Sequence, residues 1–355
     1  MSYLWAEPPS ASLYPDEQVI AEVDPSYTGP RPYAPRKPQT TVLYKLVQEN
    51  LETWLRTRRE ACPDDDPIPA YVEKAFRNYM LCGIWLAGLV KYGCPRGCDD
   101  AVFVALSCKT RGLCPSCGAK YMVKTAMHLE QNVLPRVPMR QVVISFPKRI
   151  RCFLQHDPKR LRAVLRICMR AIEAKIRSCC PGAPRGARVG AVLFSHLFGN
   201  TLNAHPHGHF QVTDGVFALD EQGGLTFYQV TELDEQALAV LTDTIRKRVL
   251  RHLVRCDCLD AADATDMLSW NHHGGFSVDA SVRIDDHDRA GIQRLSRYCA
   301  RHPFAKGRLQ RAGEQTVVYQ FPKPDVHGNT ELVCDPLQLL DRLAQFVAAP
   351  RRHRH

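Results

Sequence analysis

The sequence predicts an α+β protein: an N-terminal helical, cysteine-rich segment, then a domain with a central antiparallel sheet flanked by helices. Three observations lead there. Short β-branched runs closed by proline or glycine alternate with long runs of helical period. The pair Asp214-Gly215 interrupts one apolar run with a turn, as antiparallel neighbours require. Several of the fifteen cysteines crowd into one short stretch.

Residues 1–40 are rich in proline (GPRPYAPRKP) and read as a disordered lead-in. From Thr41 the text changes. Val42, Leu46, Leu51 and Leu55 recur near helical period in VLYKLVQENLETWLRTRREA. PDDDPIP (63–69) is a loop, and YVEKAFRNYMLCGIWLAGLVKY (71–92) reads as one or two further helices. Residues 93–118 are cysteine-dense, and KYMVKTAMHLEQNVLP (120–135) is helical up to Pro135. RQVVISFP (140–147) is the first clear strand, ended by a proline. DPKRLRAVLRICMRAIEAKIRS (157–178) is an amphipathic helix. Strands follow at 187–199, 205–219 and 225–230, a helix at 233–255, a strand at 276–284 and a capped helix at 285–304. Strands at 316–323 and 330–336 and a helix at 337–348 close the pattern. The resulting division is 1–40 lead-in, 41–137 helical and cysteine-rich, 138–320 sheet domain and 321–355 strand-helix extension.

The formal net charge of +10 favours an anionic partner, with nucleic acid the first candidate. No apolar run is long enough to span a bilayer, so no membrane partner is expected. The opening MSYLWAEPPSASLYPDEQ lacks the basic-then-apolar pattern of a signal peptide. A cytoplasmic protein follows as the expectation. In that reducing compartment fifteen cysteines point to metal binding rather than disulfides.

CPRGC holds Cys94 and Cys98, SCKTRG holds Cys108, and CPSC holds Cys114 and Cys117. Two short knuckles at this separation have zinc-ribbon spacing, and Gly97 and Gly118 suit tight turns beside the thiolates. A structural Zn²⁺ on Cys94, Cys98, Cys114 and Cys117 is therefore expected. Cys108 and Cys82 are alternate ligands or simply small buried residues. Four protein ligands would leave no position for a catalytic water.

NAHPHGHFQV (203–212) places His205, His207 and His209 at alternate positions, which share one face of a strand. Such convergence can build a metal site, although a single histidine is more often a core or surface residue. Downstream, RAGIQRLSRYCARHPF buries Ile292, Leu295 and Cys299 on one helix face. Tyr298 lies at the edge of that face, and Arg294, Arg297 and Arg301 line the next. Taken alone, this helix reads as a core tyrosine on a solvated basic helix; beside a metal it reads as a phenol and cations facing a phosphodiester.

At these residues the sequence resembles the rolling-circle insertion-sequence transposases that carry an N-terminal zinc-binding domain. They are a branch of the HUH endonucleases that includes the single-tyrosine, common-region elements. The resemblance runs from about Val42 to the end of the chain. It is carried by YMLCGIWLAG, SCKTRGLCPSCGAK, RQVVISFP, LNAHPHGHFQVTDGVF, FSVDASVRIDDHDRAGIQRLSRYCARHPFA and DRLAQFVAAPRRHRH, in the family's order. It implies an HUH-endonuclease fold for residues 138–320. It also implies a divalent cation, Mg²⁺ or Mn²⁺, on His207 and His209 with His205 adjoining, and Tyr298 as the nucleophile. The chain departs from the family where Gly208 replaces a bulky hydrophobic residue between the histidines. His302 stands where some members have a second tyrosine, and it competes as a third ligand. The family's usual continuation past RRHRH is absent, so a shortened copy is expected.

The implied reaction is attack of the Tyr298 phenol on single-stranded or hairpin DNA. It gives a 5′-phosphotyrosine and a 3′-OH that can rejoin another strand. Between Pro138 and Ser178 eleven Lys/Arg face two Asp/Glu, so Lys148, Arg149 and Arg151 join the arginines of the tyrosine helix as phosphate contacts. A homodimer is compatible with one tyrosine serving two cleavages. A rolling-circle replication initiator and a non-catalytic zinc-dependent DNA-binding protein remain the competing readings.

Overall fold

The computed structural model describes residues 37–61, 68–93, 101–110 and 112–347. The expected lead-in up to residue 36, and with it Cys94, Cys98 and the last eight residues, lies outside the described residues.

Helix α1 (Val42–Ala61) starts where the Thr41 hydroxyl accepts from the Tyr44 N–H. It buries Leu43, Leu46, Val47, Leu51, Trp54 and Leu55. Helix α2 (Ala70–Met80) is shorter than expected. Gly83 and Gly88 both take positive φ, 79° and 119°, so the helix cannot run on. The segment read as helix to residue 92 becomes strand β1 (Leu89–Gly93), paired antiparallel with β2 (Ala101–Ala105).

Helix α3 (Pro115–His128) leads through a π-turn to β3 (Met139–Ser145). KRIRCFLQH, assigned no element above, forms α4 (Lys148–His156) before α5 (Pro158–Ser178). The Asp157 carboxylate caps α5 by accepting from the N–H groups of Lys159 and Arg160. Strands β4 (Ala191–Phe198), β5 (Ala204–Thr213), β6 (Gly215–Leu219) and β7 (Leu225–Gln229) follow. Helix α6 (Glu235–Arg255) is capped by Asp234, and α7 (Ala261–Ser269) had no counterpart in the sequence reading. Next come β8 (Ser277–Asp279), β9 (Arg283–Ile284) and α8 (Arg289–Cys299), capped by Asp288. Strands β10 (Leu309–Arg311), β11 (Val317–Gln320) and β12 (Glu331–Cys334) precede α9 (Pro336–Ala344), whose Asp335 and Gln338 form a capping box.

The chain divides into two compact units. One gathers the residues up to Cys117 with Ala305–Gln320 and Leu332–Val347; the other gathers Gly118–Phe304 with Phe321–Glu331. The sequence pattern places the boundaries at 137/138 and 320/321. In the structure, β10, β11 and α9 group with the N-terminal helices. Asp341 of α9 accepts from Trp54 Nε1 and Arg58 Nε of α1, each at 2.8 Å, and Arg311 pairs with Glu49 at 2.7 Å.

The second unit is built on an antiparallel sheet of order β4-β5-β3-β8, with β9 also on β3. Its register sets the faces. Val142, Ile144, Leu197, Phe210 and Val212 pack with Val164, Leu165, Cys168 and Ile172 of α5 and with α6 residues in the main core. The opposite face carries Met139 and Phe194, covered by Ile292, Leu295 and Cys299 of α8. The single strand expected at 205–219 is two. Asp214, buried at 1%, ends the first, its carboxylate held by Arg140 and Arg283 at 2.7 Å each. From Gly215 the chain enters a separate hairpin, β6 with β7.

Gly208 lies on the core side of β5. A Cβ there would sit 2.7 Å from the Phe210 ring and 2.9 Å from Leu165. Those two side chains fill the space that the family's bulky residue would take. Gly208→Val is expected to cost about 1–3 kcal/mol through overpacking, read as a lower denaturation midpoint. A Leu165→Ala background should recover part of that loss.

Candidate metal centres and the facing tyrosine

In the first unit Cys82, Cys108, Cys114 and Cys117 bring their sulfurs together. The Sγ separations are 3.7 Å for Cys82–Cys114, Cys82–Cys117 and Cys108–Cys117. A tetrahedral ion with Zn–S bonds of about 2.3 Å requires about 3.8 Å between sulfurs, so the donor set fits zinc in both chemistry and size. Hydrogen bonding from Cys108 lowers the Cys82 thiol to about 7 and holds Cys117 lower still, while the same mutual contacts push Cys108 and Cys114 up, so the four thiols share their protons unequally and two of them favour thiolate at neutral pH. Cys114 and Cys117 stand where the spacing put them. Among the described residues their companions are the two alternates, Cys82 and Cys108; Cys94 and Cys98 lie outside the described residues. The hairpin β1–β2 accounts for this. Gly83 N–H bonds to Leu106 C=O and Leu106 N–H to Gly88 C=O, closing the hairpin base and setting Cys108 beside Cys82.

In the second unit three imidazoles converge: His196, His207 and His209. The register dictates it. His207 lies directly opposite His196 on β4 and Ser145 on β3, and His209 opposite Phe194 and Val143. The Nε2 atoms of His207 and His209 are 3.1 Å apart, as two donors to one ion would be. His207 Nδ1 donates to the His205 carbonyl at 2.7 Å, leaving Nε2 as its donor atom. His196 Nε2 donates to the Cys299 carbonyl at 2.7 Å, and its buried Nδ1 has no hydrogen-bond partner. An orphaned imidazole nitrogen beside two others is what an ion would satisfy. Neither further ligand offered by the sequence belongs to this group of three. His205 flanks His207 with ring centroids 5.0 Å apart. His302 turns back on its own loop, accepting at Nδ1 from the Phe304 N–H at 3.1 Å, and packs against Gly118.

Burial, reinforced by the neighbouring imidazole, pushes His209 down to about 3; burial also takes His207 to about 4 and holds His196 well below the ordinary 6.5. All three are therefore neutral donors at pH 7. The unfolded chain protonates these residues near 6.5 while the folded one does not, so it binds more protons as the pH falls. Stability is expected to be full above about pH 6.5 and to decline toward pH 4. A His207→Gln variant should show a shallower decline in denaturation midpoints measured between pH 7.5 and 4; an identical slope would rule out this site as a source of the acid sensitivity.

Helix α8 covers the same face. The Tyr298 ring stands edge-on to His209, centroids 5.6 Å apart, and is half exposed. The Arg301 guanidinium lies 4.9 Å from the Tyr298 ring centre and 5.5 Å from that of Phe198, a cation between two π faces, with Asn200 accepting at 3.3 Å. Of the other cations singled out by sequence, Arg297 and Lys148 are exposed, and Arg294 reaches Asp288 at 3.3 Å. Arg149 pairs with Asp263 at 2.6 Å. Arg151 donates to the Phe146 carbonyl at 2.8 Å, and its charge helps to depress His205.

Two family models match stretches of this chain. Residues 48–146 match a transposase zinc-binding domain, and residues 190–355 match a family described as "Putative transposase". Over these two stretches the chain resembles zinc-binding transposases. A relative within that class is the transposase for insertion sequence element IS801 of Pseudomonas savastanoi pv. phaseolicola, 32% identical over 207 residues. The chain is thus similar to insertion-sequence transposases and to a transposase zinc-binding domain. The aligned region is 58% of this chain and 44% of that relative. No solved structure matches the chain. Among the described residues no helix is long and apolar enough to cross a membrane.

Proposed function

We propose that the protein is an HUH-type DNA strand transferase acting in rolling-circle transposition. The observation that carries this is the Tyr298 ring 5.6 Å from His209, within reach of three converged imidazoles. His207, His209 and His196 would hold a divalent cation such as Mg²⁺ or Mn²⁺. When bound, that ion supplies positive charge to the non-bridging oxygens of a phosphodiester.

The chain's own residues supply the rest. Tyr298 offers the nucleophile: its Oη bonds to phosphorus, the bond from phosphorus to the 3′ oxygen breaks, the phenolic proton passes to solvent and the leaving oxygen takes one up. The product is a 5′-phosphotyrosine with a free 3′-OH. Because one phosphodiester replaces another, a 3′-OH from a second strand can reverse the step without ATP. Arg301 holds the tyrosine ring from above and presents a cation where the anionic phosphate must enter. The substrate is DNA presented single-stranded or as a hairpin, since a duplex would keep its backbone from a site beneath a helix. The cysteine cluster holds Zn²⁺ and supports the first unit; the chemistry resides in the sheet unit.

The experiment is incubation of the full chain with single-stranded DNA from the flanking sequence and Mn²⁺, followed by denaturing electrophoresis. A covalent protein–DNA band that disappears with chelator supports the proposal. Tight DNA binding with no covalent band under any divalent ion overturns it in favour of a binding protein.

A further inference from the structure

The hydrogen bonds around His209 lock one another into a single pattern. The His207 proton is on Nδ1, donated to the His205 carbonyl at 2.7 Å, so Nε2 of His207 carries a lone pair. Nε2 of His209 lies 3.1 Å from it. Two lone pairs at that distance repel, so without an ion His209 must carry its proton on Nε2 and donate it to His207. That leaves a lone pair on His209 Nδ1. The side-chain amide of Gln141, a β3 residue buried at 5%, presents its Nε2 to that atom at 2.8 Å and to Cys299 Sγ at 3.4 Å. Both nitrogens of His207 and both of His209 have a partner in this ion-free pattern.

Ion binding inverts the requirement. Both imidazole Nε2 atoms must then offer lone pairs, so the His209 proton moves to Nδ1 and needs an acceptor there. A glutamine can supply one. Its amide is nearly symmetric in shape, and a half turn about its last bond puts Oε1 where Nε2 was. Oε1 accepts from His209 Nδ1–H, and the Cys299 thiol changes from acceptor to donor.

We infer that Gln141 is a positioning residue that turns its amide over to hold His209 in one tautomer without an ion and in the other with it. This rests on the reading of the three imidazoles as ion ligands. Leucine in its place would satisfy neither state. Glutamate, which only accepts when ionised, would fix the ion-ready tautomer permanently.

The test uses the full chain with histidine labelled in ¹⁵N, its cysteine cluster filled with zinc, and a second equivalent of Zn²⁺ added as a diamagnetic probe. Long-range proton–nitrogen spectra read the His209 tautomer directly. The expected result is an Nε2–H form before the second zinc and an Nδ1–H form after it. Gln141→Glu should show the Nδ1–H form throughout. Gln141→Leu should bind the second zinc roughly 10- to 100-fold more weakly, with far-ultraviolet dichroism unchanged. An Nδ1–H form in the ion-free wild type, or a second zinc bound with no change of tautomer, would overturn the role of Gln141. Both readouts come from the wild type, so a misfolded variant does not protect the inference. A wild type that takes up no second zinc would overturn the ligand reading itself and the switch with it.

Discussion

Tyr298→Phe is expected to abolish the covalent protein–DNA adduct, a loss of at least ~10³-fold in strand cleavage, while folding and DNA binding stay near wild type. The substitution removes one oxygen from a half-exposed ring. The phenyl ring keeps its edge toward His209 and still offers a π face to Arg301. In the proposed complex, binding would rest mainly on phosphate contacts made by lysines and arginines away from this ring. His207→Ala should give the complementary result, with DNA bound and uncleaved, because in the proposed reaction the imidazole cluster acts on the reacting phosphate and not on the length of the strand. Adduct formation by Tyr298→Phe on a pre-nicked substrate would reveal a different nucleophile and end the single-tyrosine mechanism. His302→Ala should leave both adduct formation and its Mn²⁺ dependence unchanged, since that ring bonds to Phe304 and lies outside the cluster.

The second large effect lies in the cysteine cluster. Structural zinc contributes on the order of 10 kcal/mol of folding free energy to small domains. Cys114→Ser or Cys82→Ser is therefore expected to release the ion and expose the first unit to proteolysis. Cys94→Ser and Cys98→Ser should retain one zinc per chain and wild-type protease resistance. The comparison separates the two ligand sets, because spacing favoured Cys94 and Cys98 whereas the sulfurs brought within 3.7 Å of their neighbours include Cys82 and Cys108. Zinc lost from Cys94→Ser with Cys82→Ser unaffected would return the site to the ribbon spacing.

The features legible in the sequence are those governed by neighbours along the chain. α1 and α5 follow from helical period and, for α5, an aspartate cap; β3 follows from a β-branched run stopped by proline. His207 and His209 are legible because alternation on one strand is itself a local signal. His196 is not, although the strand that holds it is legible. A single imidazole in AVLFSHLF reads as an ordinary core residue until the register of β4 on β5 sets it opposite His207. Cys82 and Cys108 carry the same lesson, since their meeting depends on how a hairpin closes. Gln141 gave no signal at all: a glutamine in a strand becomes informative only when its amide is seen beside an imidazole nitrogen. The return of β10, β11 and α9 to the N-terminal helices depends on contacts such as Trp54 with Asp341, nearly the whole chain apart.

That return has a consequence for biosynthesis. The N-terminal unit is split in sequence, its later pieces beginning at Ala305 and ending at Val347, while the sheet unit has its strands β3 to β9 and the tyrosine helix in place by Phe304. On the ribosome the sheet unit is thus the first to have all its strands and helices synthesised. The unit that carries the cysteines, although its first residues are translated earliest, is complete only once α9 has been synthesised.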